Sequence, residues 1–518
     1  MSFSPTHRLF PLTTSIVKTS PPKSTTAPPT NKPLPCALIR KRDVPITLRD
    51  NTVIYTDVFL PANQSRPFPA LVNFSSYGKT TPTSVSGGVS PNWLSGYTKF
   101  EGADAASYAC RGYAVVNPDN RGAYHSEGNI HFFVSVDAHD GHDVIEWIAE
   151  QTWSTGKVAS IGASWLAITQ WFVAALNPPH LTAIVPWDGF RDFYRDNVVW
   201  GGIPDVQMSQ SIGGNLPGKG KVERPDFMNA YWEDKSVDLE KVTVPAYVIS
   251  DNIMPLHNKG TLEGFRRISS KEKWLRIDDT QEWNDEYNPV WEEDALQFLD
   301  YYVKGIKNGW GLTPRVRAAG TDAGGSNRRG YYNDWPIETT QYKKLYLDTS
   351  QNILRHHPSS VESKLVGYFS GHIFVEADSF ADMDLFLTLE KLDQHGKLLA
   401  PLPACTVDIQ KGCESTAGAT DGTQARLRVS LRALDEKVST PCFPVQSFKS
   451  PQRFSQDEIV PVDVAFTPNP YFFHAGQKFR LVIPAKSGTT VTGNNNESHV
   501  IHTGRKYQSC VQIPIVPE

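Results

Sequence analysis

The sequence predicts an α/β domain with a mainly parallel sheet, followed by an all-β domain. In the first half of the chain, short apolar runs alternate with segments of helical spacing. Strands that are buried on both faces and joined by helices are typical of parallel sheets. After about residue 310 the helical pattern fades, and many short alternating strands follow, separated by glycine and proline. That second pattern predicts a β-sandwich of jelly-roll type.

The predicted elements can be placed in order along the first half. An antiparallel hairpin is expected around a turn at residues 49–51, because both flanking segments are rich in β-forming residues. The buried strands of the parallel sheet are predicted at 70–74, 113–116, 158–161, 181–185, 246–249 and 274–277, and helices at 138–150, 165–176 and 292–303. Residues 190–242 are too long for an ordinary loop of such a domain, so we expect a cap insertion over the carboxyl edge of the sheet.

These patterns divide the chain into three parts. Residues 1–35 are rich in serine, threonine and proline, and the first acidic residue is Asp43, so we interpret this part as a disordered leader. It has no compact apolar segment of a secretory signal, and organelle targeting is the alternative interpretation. Residues 36–310 form the expected α/β domain, and residues 311–518 form the expected β-sandwich.

Composition narrows the classes of function and location. Lys and Arg number 51 against 55 Asp and Glu, for a formal net charge of −4, which gives no electrostatic reason to expect nucleic acid or a membrane as partner. No apolar run reaches the ~20 residues of a spanning helix. Six cysteines without a C-x-x-C motif disfavour both a zinc site and a disulfide framework. A reducing, cytoplasmic location is therefore expected.

The strongest local signal for chemistry surrounds Ser164. A β-rich run enters the turn Gly162-Ala163-Ser164, and an apolar segment compatible with a helix leaves it. This is the context of a nucleophile elbow, in which a tight strand-to-helix turn lifts a serine hydroxyl above the sheet edge. The next backbone amide, at Trp165, then points at a developing oxyanion. The alternative is that Ser164 only caps the helix.

Further motifs carry a resemblance that extends from Asp43 to the C-terminus. They are LRDN at 48–51, SYG at 76–78, PDNRG at 118–122, SEG at 126–128, GASWLA at 162–167, DMDLF at 382–386 and HVIHTG at 499–504. Together they resemble the cocaine esterase/X-Pro dipeptidyl-peptidase-like acyl hydrolases. The resemblance implies an α/β-hydrolase fold with a helical cap insertion and a C-terminal jelly roll. It also implies Ser164 as nucleophile, and Tyr77 as a hydroxyl donor that joins the Trp165 amide in an oxyanion hole.

The remaining two positions of the family's catalytic triad depart from its pattern. Asp251 lies near the place of the acid, about two positions early. Asp278 stands where the family has its general-base histidine, and an unperturbed aspartate is a poor base toward a serine hydroxyl unless burial or a neighbouring acid such as Asp279 raises its pKa. His257, in the loop after the acid strand, is a third candidate for the base.

The sequence therefore predicts a serine-dependent acyl hydrolase of the esterase or amidase type. Its partner would be a small-molecule ester, amide or thioester, with no cofactor and no metal; a homodimer is also compatible with the sequence. Two alternatives remain open. One is a non-hydrolytic lyase, cyclase or acyltransferase of secondary metabolism on the same scaffold, which would use Asp278 for proton transfer. The other is a binding protein without catalytic activity.

Overall fold

The computed structural model describes residues 14–17, 32–62, 67–79, 89–205, 228–252, 255–320, 329–347, 362–377, 382–399, 422–453, 455, 457–484, 499–504 and 506–517. The strands of the first half are β1 (Thr14–Val17), β2 (Leu38–Thr47), β3 (Val53–Pro61), β4 (Phe68–Val72), β5 (Ala114–Pro118), β6 (Ser154–Ala163), β7 (Leu181–Trp187), β8 (Ala246–Asp251), β9 (Lys273–Asp278), β10 (Val316–Ala319) and β11 (Arg329–Tyr332). The helices are α1 (Ala105–Cys110), α2 (Ser135–Ala149), α3 (Trp165–Ala174), α4 (Ala230–Glu233), α5 (Pro255–Arg267), α6 (Glu282–Tyr287) and α7 (Pro289–Leu299).

The eleven strands form one sheet in the order β1-β2-β3-β5-β4-β6-β7-β8-β9-β10-β11. From β5 to β10 all neighbours run parallel, whereas β1, β2, β3 and β11 are antiparallel to their neighbours. Apolar side chains of these strands are buried on both faces, as a parallel sheet covered by helices requires. This is the α/β-hydrolase fold, with the loops that follow β4, β6, β7, β8 and β9 at the carboxyl edge.

Two segments extend the sheet beyond the expected domain limits. Residues 14–17, inside the expected disordered leader, form β1 and pair with β2, while residues 1–13 and 18–31 lie outside the described residues. At the other end, β10 and β11 follow residue 310 and still belong to the large sheet, because β10 pairs in parallel with β9. The sheet therefore ends at Tyr332, about twenty residues after the expected domain limit at residue 310.

The second half is all-β, as expected. Its strands are β12 (Gln341–Tyr346), β13 (Ser363–Leu365), β14 (Ser370–Ala377), β15 (Asp384–Leu392), β16 (Gly422–Arg428), β17 (Val460–Ala465), β18 (Tyr471–Phe473), β19 (Lys478–Val482), β20 (His499–His502) and β21 (Cys510–Val516). They form a seven-stranded sheet around β14 and β21 and a three-stranded sheet in the order β16-β15-β19. The inward side chains of both sheets join the core of the α/β domain.

The described parts of the cap insertion, residues 190–205 and 228–242, contact the all-β domain. Gly201 packs so closely on β16 that a Cβ there would come within 1.9 Å of the Arg426 carbonyl oxygen. The Arg195 guanidinium donates to backbone carbonyl oxygens of residues 446 and 447 at 3.3 and 3.2 Å. The cap is thereby held between the two domains on the side of the carboxyl edge.

The cysteine interpretation was wrong in one respect. Cys36 and Cys110 form a disulfide, although the sparse cysteines had disfavoured one. Cys36 lies just before β2 and Cys110 ends α1, and the packing of α1 against β2 and β3 brings residues 74 apart in sequence to a Cα separation of 5.5 Å. The argument for a reducing compartment therefore no longer holds. Within the part of the chain that the structure describes, no helix is long and apolar enough to cross a membrane.

Candidate active site

Ser164 occupies the sharp turn between β6 and α3. Its backbone has φ 49° and ψ −113°, a conformation that a non-glycine residue adopts only at a cost in energy. Gly162 leaves space for the turn, since a Cβ there would lie 2.7 Å from the Glu101 carbonyl oxygen. The Ser164 N–H donates to the Trp187 carbonyl oxygen at 2.9 Å, which fixes the turn against β7. The turn has the geometry of a nucleophile elbow.

Two hydrogen donors lie beside the serine. Tyr77 is in the loop after β4, and its ring packs edge-on against the Trp165 ring with centroids 5.6 Å apart. The Tyr77 hydroxyl faces the Ser164 hydroxyl. Because α3 begins at Trp165, the backbone N–H of this residue has no acceptor within the helix. A phenol and a backbone amide are donors of the kind that stabilises an oxyanion.

His257 reaches the serine from the first turn of α5. Its Nε2 lies 3.1 Å from the Ser164 hydroxyl oxygen. Gly260 allows α5 to approach the loop after β7, because a Cβ there would come within 2.5 Å of the Phe190 Cα. The Thr261 hydroxyl accepts a hydrogen bond from the backbone of the same loop at 2.9 Å. These close contacts set the position of the imidazole.

The imidazole of His257 is neutral in this environment. The side chain is buried, and the Phe190 ring stacks on it with centroids 5.8 Å apart. Burial lowers the pKa of His257 to about 3. Its Nδ1 has no hydrogen-bond partner in the described part of the chain, so no carboxylate there balances a positive charge on the ring. His257 can hydrogen-bond to the serine, but a cation at this position is strongly disfavoured.

Glu101 is a buried carboxyl group at the same turn. It lies between β4 and α1, has φ 59°, and its carbonyl oxygen accepts the Ala163 N–H at 2.8 Å. The carboxyl oxygen Oε1 accepts the Trp283 Nε1–H at 3.2 Å. The hydroxyls of Ser164 and Tyr77 face the same carboxyl group. Burial raises the pKa of Glu101 to about 8, against the lowering effect of these hydrogen bonds.

Asp251 and Asp188 form a pair of neighbouring acidic residues at the carboxyl edge of the sheet. Asp188 follows β7 with φ 49°, and its carboxylate accepts the Asp251 N–H at 2.9 Å. Burial, together with the nearby Asp251 carboxylate, raises the pKa of Asp188 well above its usual range. Asp251 ends β8, and its side chain is buried.

Asp278 forms ion pairs with two arginines. It ends β9, beside Asp251 in the register of the sheet, and is fully buried. Arg276 contacts it from the same strand, and Arg329 of β11 donates to it at 2.7 Å. Burial alone would raise the pKa of Asp278, but the two guanidinium groups hold it below its usual value. Asp279, in contrast, has its pKa raised to about 6 by burial and by the charge of Asp278.

The structure thus brings four of the six predicted site residues together: Ser164, Tyr77, Trp165 and His257. Asp251 and Asp278 end adjacent strands, and Asp278 is tied to arginines instead of histidine. Sequence reasoning missed Glu101 and Asp188. Asp188 could have been found, because it directly follows a predicted strand at the carboxyl edge, whereas no local pattern distinguishes Glu101. No group of three or more His, Cys, Asp or Glu side chains in the described ranges is arranged to hold a metal ion.

The family models match most of the chain. Residues 50–297 match X-Pro dipeptidyl-peptidase (S15 family), and residues 353–512 match the X-Pro dipeptidyl-peptidase C-terminal non-catalytic domain. Together the two matches cover about four fifths of the sequence. Ser164 and the loops that follow β4, β6, β7, β8 and β9 fall within the first match.

Individual proteins and solved structures are also similar to this chain. The chain is 33% identical over 153 residues to cocaine esterase of Rhodococcus sp., an alignment that spans 30% of this chain and 24% of that protein. The structure of a CocE/NonD family hydrolase from Staphylococcus aureus covers 93% of this chain and 94% of its own, with 28% identity and a TM-score of 0.84. An aminopeptidase from a Thaumarchaeota archaeon, 14% identical with a TM-score of 0.71 over 100% of this chain and 98% of its own, shares the fold. The chain belongs to the cocaine esterase/X-Pro dipeptidyl-peptidase-like family of α/β-hydrolase-fold proteins.

Proposed function

We propose that this protein is a serine-dependent acyl hydrolase that cleaves a small-molecule ester, amide or thioester through an acyl-enzyme. The observation that carries the proposal is the Ser164 hydroxyl, which lies at a strained strand-to-helix turn with His257 Nε2 at 3.1 Å. The related cocaine esterase and the CocE/NonD family hydrolase support the same class of reaction.

The proposed reaction follows from the groups around the serine. Ser164 Oγ attacks the carbonyl carbon while its proton passes to a neighbouring acceptor, and the tetrahedral oxyanion accepts hydrogen bonds from the Tyr77 hydroxyl and the Trp165 amide. Collapse of this intermediate releases the alcohol, amine or thiol and leaves Ser164 acylated. Water then attacks the acyl group, releases the acid and restores the serine.

The surroundings of the serine favour an apolar acyl group. Aromatic rings form a continuous group around Trp165, with Phe133 at a centroid distance of 4.6 Å and Phe132 at 5.7 Å. Phe190 and Phe193 extend the group toward the cap, stacked 5.3 Å apart. We infer that an acyl chain bound beside Ser164 would contact this group, since aromatic side chains bind aliphatic or aromatic chains by burial of apolar surface.

Labelling with a fluorophosphonate probe tests the proposal. The probe should attach to the wild-type protein at Ser164, and a library of p-nitrophenyl and amide substrates should yield turnover that Ser164→Ala abolishes. Ser160→Ala is the matched control, because Ser160 is a buried serine of the preceding strand, β6, and donates to the Val72 carbonyl oxygen at 3.3 Å. Turnover that persists in Ser164→Ala, or no labelling of a folded protein, would reject a serine nucleophile.

A further inference from the structure

Two titratable side chains compete for the proton of Ser164. His257 Nε2 is 3.1 Å from the hydroxyl oxygen, and the buried Glu101 carboxyl group faces the same hydroxyl. Transfer to His257 would create a cation in a buried site, whereas transfer to an ionised Glu101 would neutralise a buried anion. In a low-dielectric site the second transfer costs less, because burial disfavours the charged form of either group.

The environment of His257 lacks the group that makes histidine an effective base beside serine. In a Ser-His-Asp triad, a carboxylate hydrogen-bonded to Nδ1 stabilises the imidazolium that forms. Here Nδ1 has no partner among the described residues, and a Phe190 ring covers the imidazole. With its proton on Nε2, the neutral His257 donates a hydrogen bond to the Ser164 hydroxyl oxygen, so it orients the hydroxyl and leaves the serine proton for another acceptor.

The environment of Glu101, in contrast, suits a proton acceptor. Its side chain is 3% exposed, and its oxygen Oε2 has no well-aligned donor in the described ranges although the Ser164 hydroxyl is close. The backbone is held in a left-handed conformation by the hydrogen bond from Ala163, so the carboxyl group is locked to the same turn as the nucleophile. Strain of this kind is retained where the surrounding structure imposes it, often at functional sites.

We propose that Glu101 is the catalytic base that accepts the proton of Ser164, a role that rests on the proposed hydrolase function. The Ser164 O–H bond breaks, its proton moves to the Glu101 carboxylate, the Oγ–C bond forms, and the carbonyl π pair moves onto oxygen. The single negative charge thereby passes from Glu101 to the oxyanion, next to the same donors, Tyr77 and the Trp165 amide. Glu101 then returns the proton to the leaving oxygen, nitrogen or sulfur as its bond to carbon breaks. In deacylation it accepts a proton from water and returns it to Ser164.

The titratable groups that face Glu101 supply no positive charge to stabilise its ionised form. Besides Ser164, the titratable groups around it are Tyr77 on the β4 loop and Glu282, Glu286 and Tyr287 on α6. None of these groups is a cation. Burial is the main cause that raises the pKa of Glu101 to about 8, so the ionised, base form increases as the pH rises through that value.

The pH dependence of kcat/KM with a short-chain p-nitrophenyl ester tests this role, because p-nitrophenolate needs no proton to leave. For the wild-type protein, kcat/KM should rise with pH to a plateau with a midpoint near 8. Glu101→Gln should lower the plateau about 100-fold or more and remove this rise. Glu292→Gln is the matched control; Glu292 is a buried carboxyl on α7 that contacts Lys32 Nζ at 3.5 Å, and the variant should keep the rise and lose less than about 3-fold.

The outcomes separate this role from the proposed function. If Ser164→Ala is inactive but Glu101→Gln keeps the wild-type rate and pH profile, the serine hydrolase stands and Glu101 is not the base. A wild-type profile that is flat between pH 6 and 9 overturns the proposal even if Glu101→Gln fails to fold. The rate of fluorophosphonate labelling of wild-type protein should show the same midpoint near pH 8, which checks the base in the acylation step alone.

Discussion

The Nε2 atom of His257 lies 3.1 Å from the Ser164 hydroxyl oxygen, yet this histidine belongs to α5, the helix that follows β8. The resembling family has its base histidine after the next strand, the position that Asp278 occupies here. The imidazole therefore reaches the serine from a different element of the fold. In the described part of the chain it also lacks the carboxylate partner that accompanies a triad histidine.

Replacement of His257 by alanine should lower kcat/KM by about 10-fold to 100-fold, because a lost orienting hydrogen bond costs about 1.5–3 kcal/mol in a buried site. Since burial lowers the pKa of His257 to about 3, no change in activity near pH 6.5 should be traceable to this residue. The pH profile of the variant should keep its midpoint near 8. A wild-type midpoint near 6.5 that disappears in His257→Ala would instead assign the proton transfer to His257.

Replacement of Tyr77 by phenylalanine should remove one oxyanion donor and keep the ring contacts with Trp165 and Phe100. We expect kcat to fall about 100-fold to 1,000-fold with little change in KM, because the donor acts on the charge of the transition state. Tyr113→Phe is the matched control: Tyr113 is buried elsewhere in the domain and donates to Asp300 at 2.7 Å. A loss confined to KM would show that Tyr77 binds substrate rather than stabilises the oxyanion.

Replacement of Asp278 by asparagine should reduce stability more than catalysis. The variant removes one of the two carboxylates that contact the fully buried Arg276 and leaves only Asp294 at 3.3 Å, and removal of one partner of a buried ion pair costs about 3–5 kcal/mol. Urea unfolding measures this loss, while kcat per folded molecule should change less than about 3-fold. A large fall in kcat with unchanged stability would revive Asp278 as a proton-transfer group and favour a non-hydrolytic reaction.

The predictable parts of this protein are those set by local sequence. The turn at Ser164 follows from a β-rich run, a glycine and an apolar helix within ten residues, and the two-domain architecture follows from the change in periodicity. Asp278 shows the limit of such reasoning. Its pairing with Arg276 is visible on one strand, but Arg329 reaches it from β11, and together the two arginines lower a pKa that burial alone would raise.

Long-range packing explains the remaining differences. Glu101 comes to the active site because its loop crosses the end of β6, where its carbonyl oxygen accepts the Ala163 N–H, and no pattern around Glu101 indicates this. Likewise, the spacing of Cys36 and Cys110 contains no sign that α1 packs beside β2. The low number of cysteines was a weak argument against a disulfide, because one disulfide needs only two cysteines in contact.

Removal of the Cys36–Cys110 disulfide should destabilise the α/β domain. Because the bond closes a loop with a sequence separation of 74, the double variant Cys36→Ser/Cys110→Ser should lose about 2–4 kcal/mol of unfolding free energy. Dithiothreitol should lower the Tm of the wild-type protein and leave that of the double variant unchanged. Cys442→Ser is the control, since Cys442 is a free cysteine. An equal Tm with and without reductant in the wild-type protein would contradict a stabilising disulfide.

Asp137 should make stability depend on pH in a measurable way. It lies in the first turn of α2, and burial raises the pKa of this carboxyl to about 7, against the lowering effect of the hydrogen bond from Val134 N–H. The folded state therefore binds a proton that the unfolded state releases above pH ~4, so this contribution to stability is present at low pH and is lost as the pH rises to about 7.

The variant Asp137→Asn keeps an acceptor for the Val134 N–H and removes the titration. The unfolding free energy of the variant minus that of the wild-type protein should increase steadily from pH 4 to 7, since the folded wild-type protein must either hold a buried charge or keep its proton. Other raised carboxyls, such as Asp279 and Glu101, cancel in this difference because both proteins contain them. A difference that stays constant over this interval would mean that Asp137 ionises in the folded protein at its ordinary pKa.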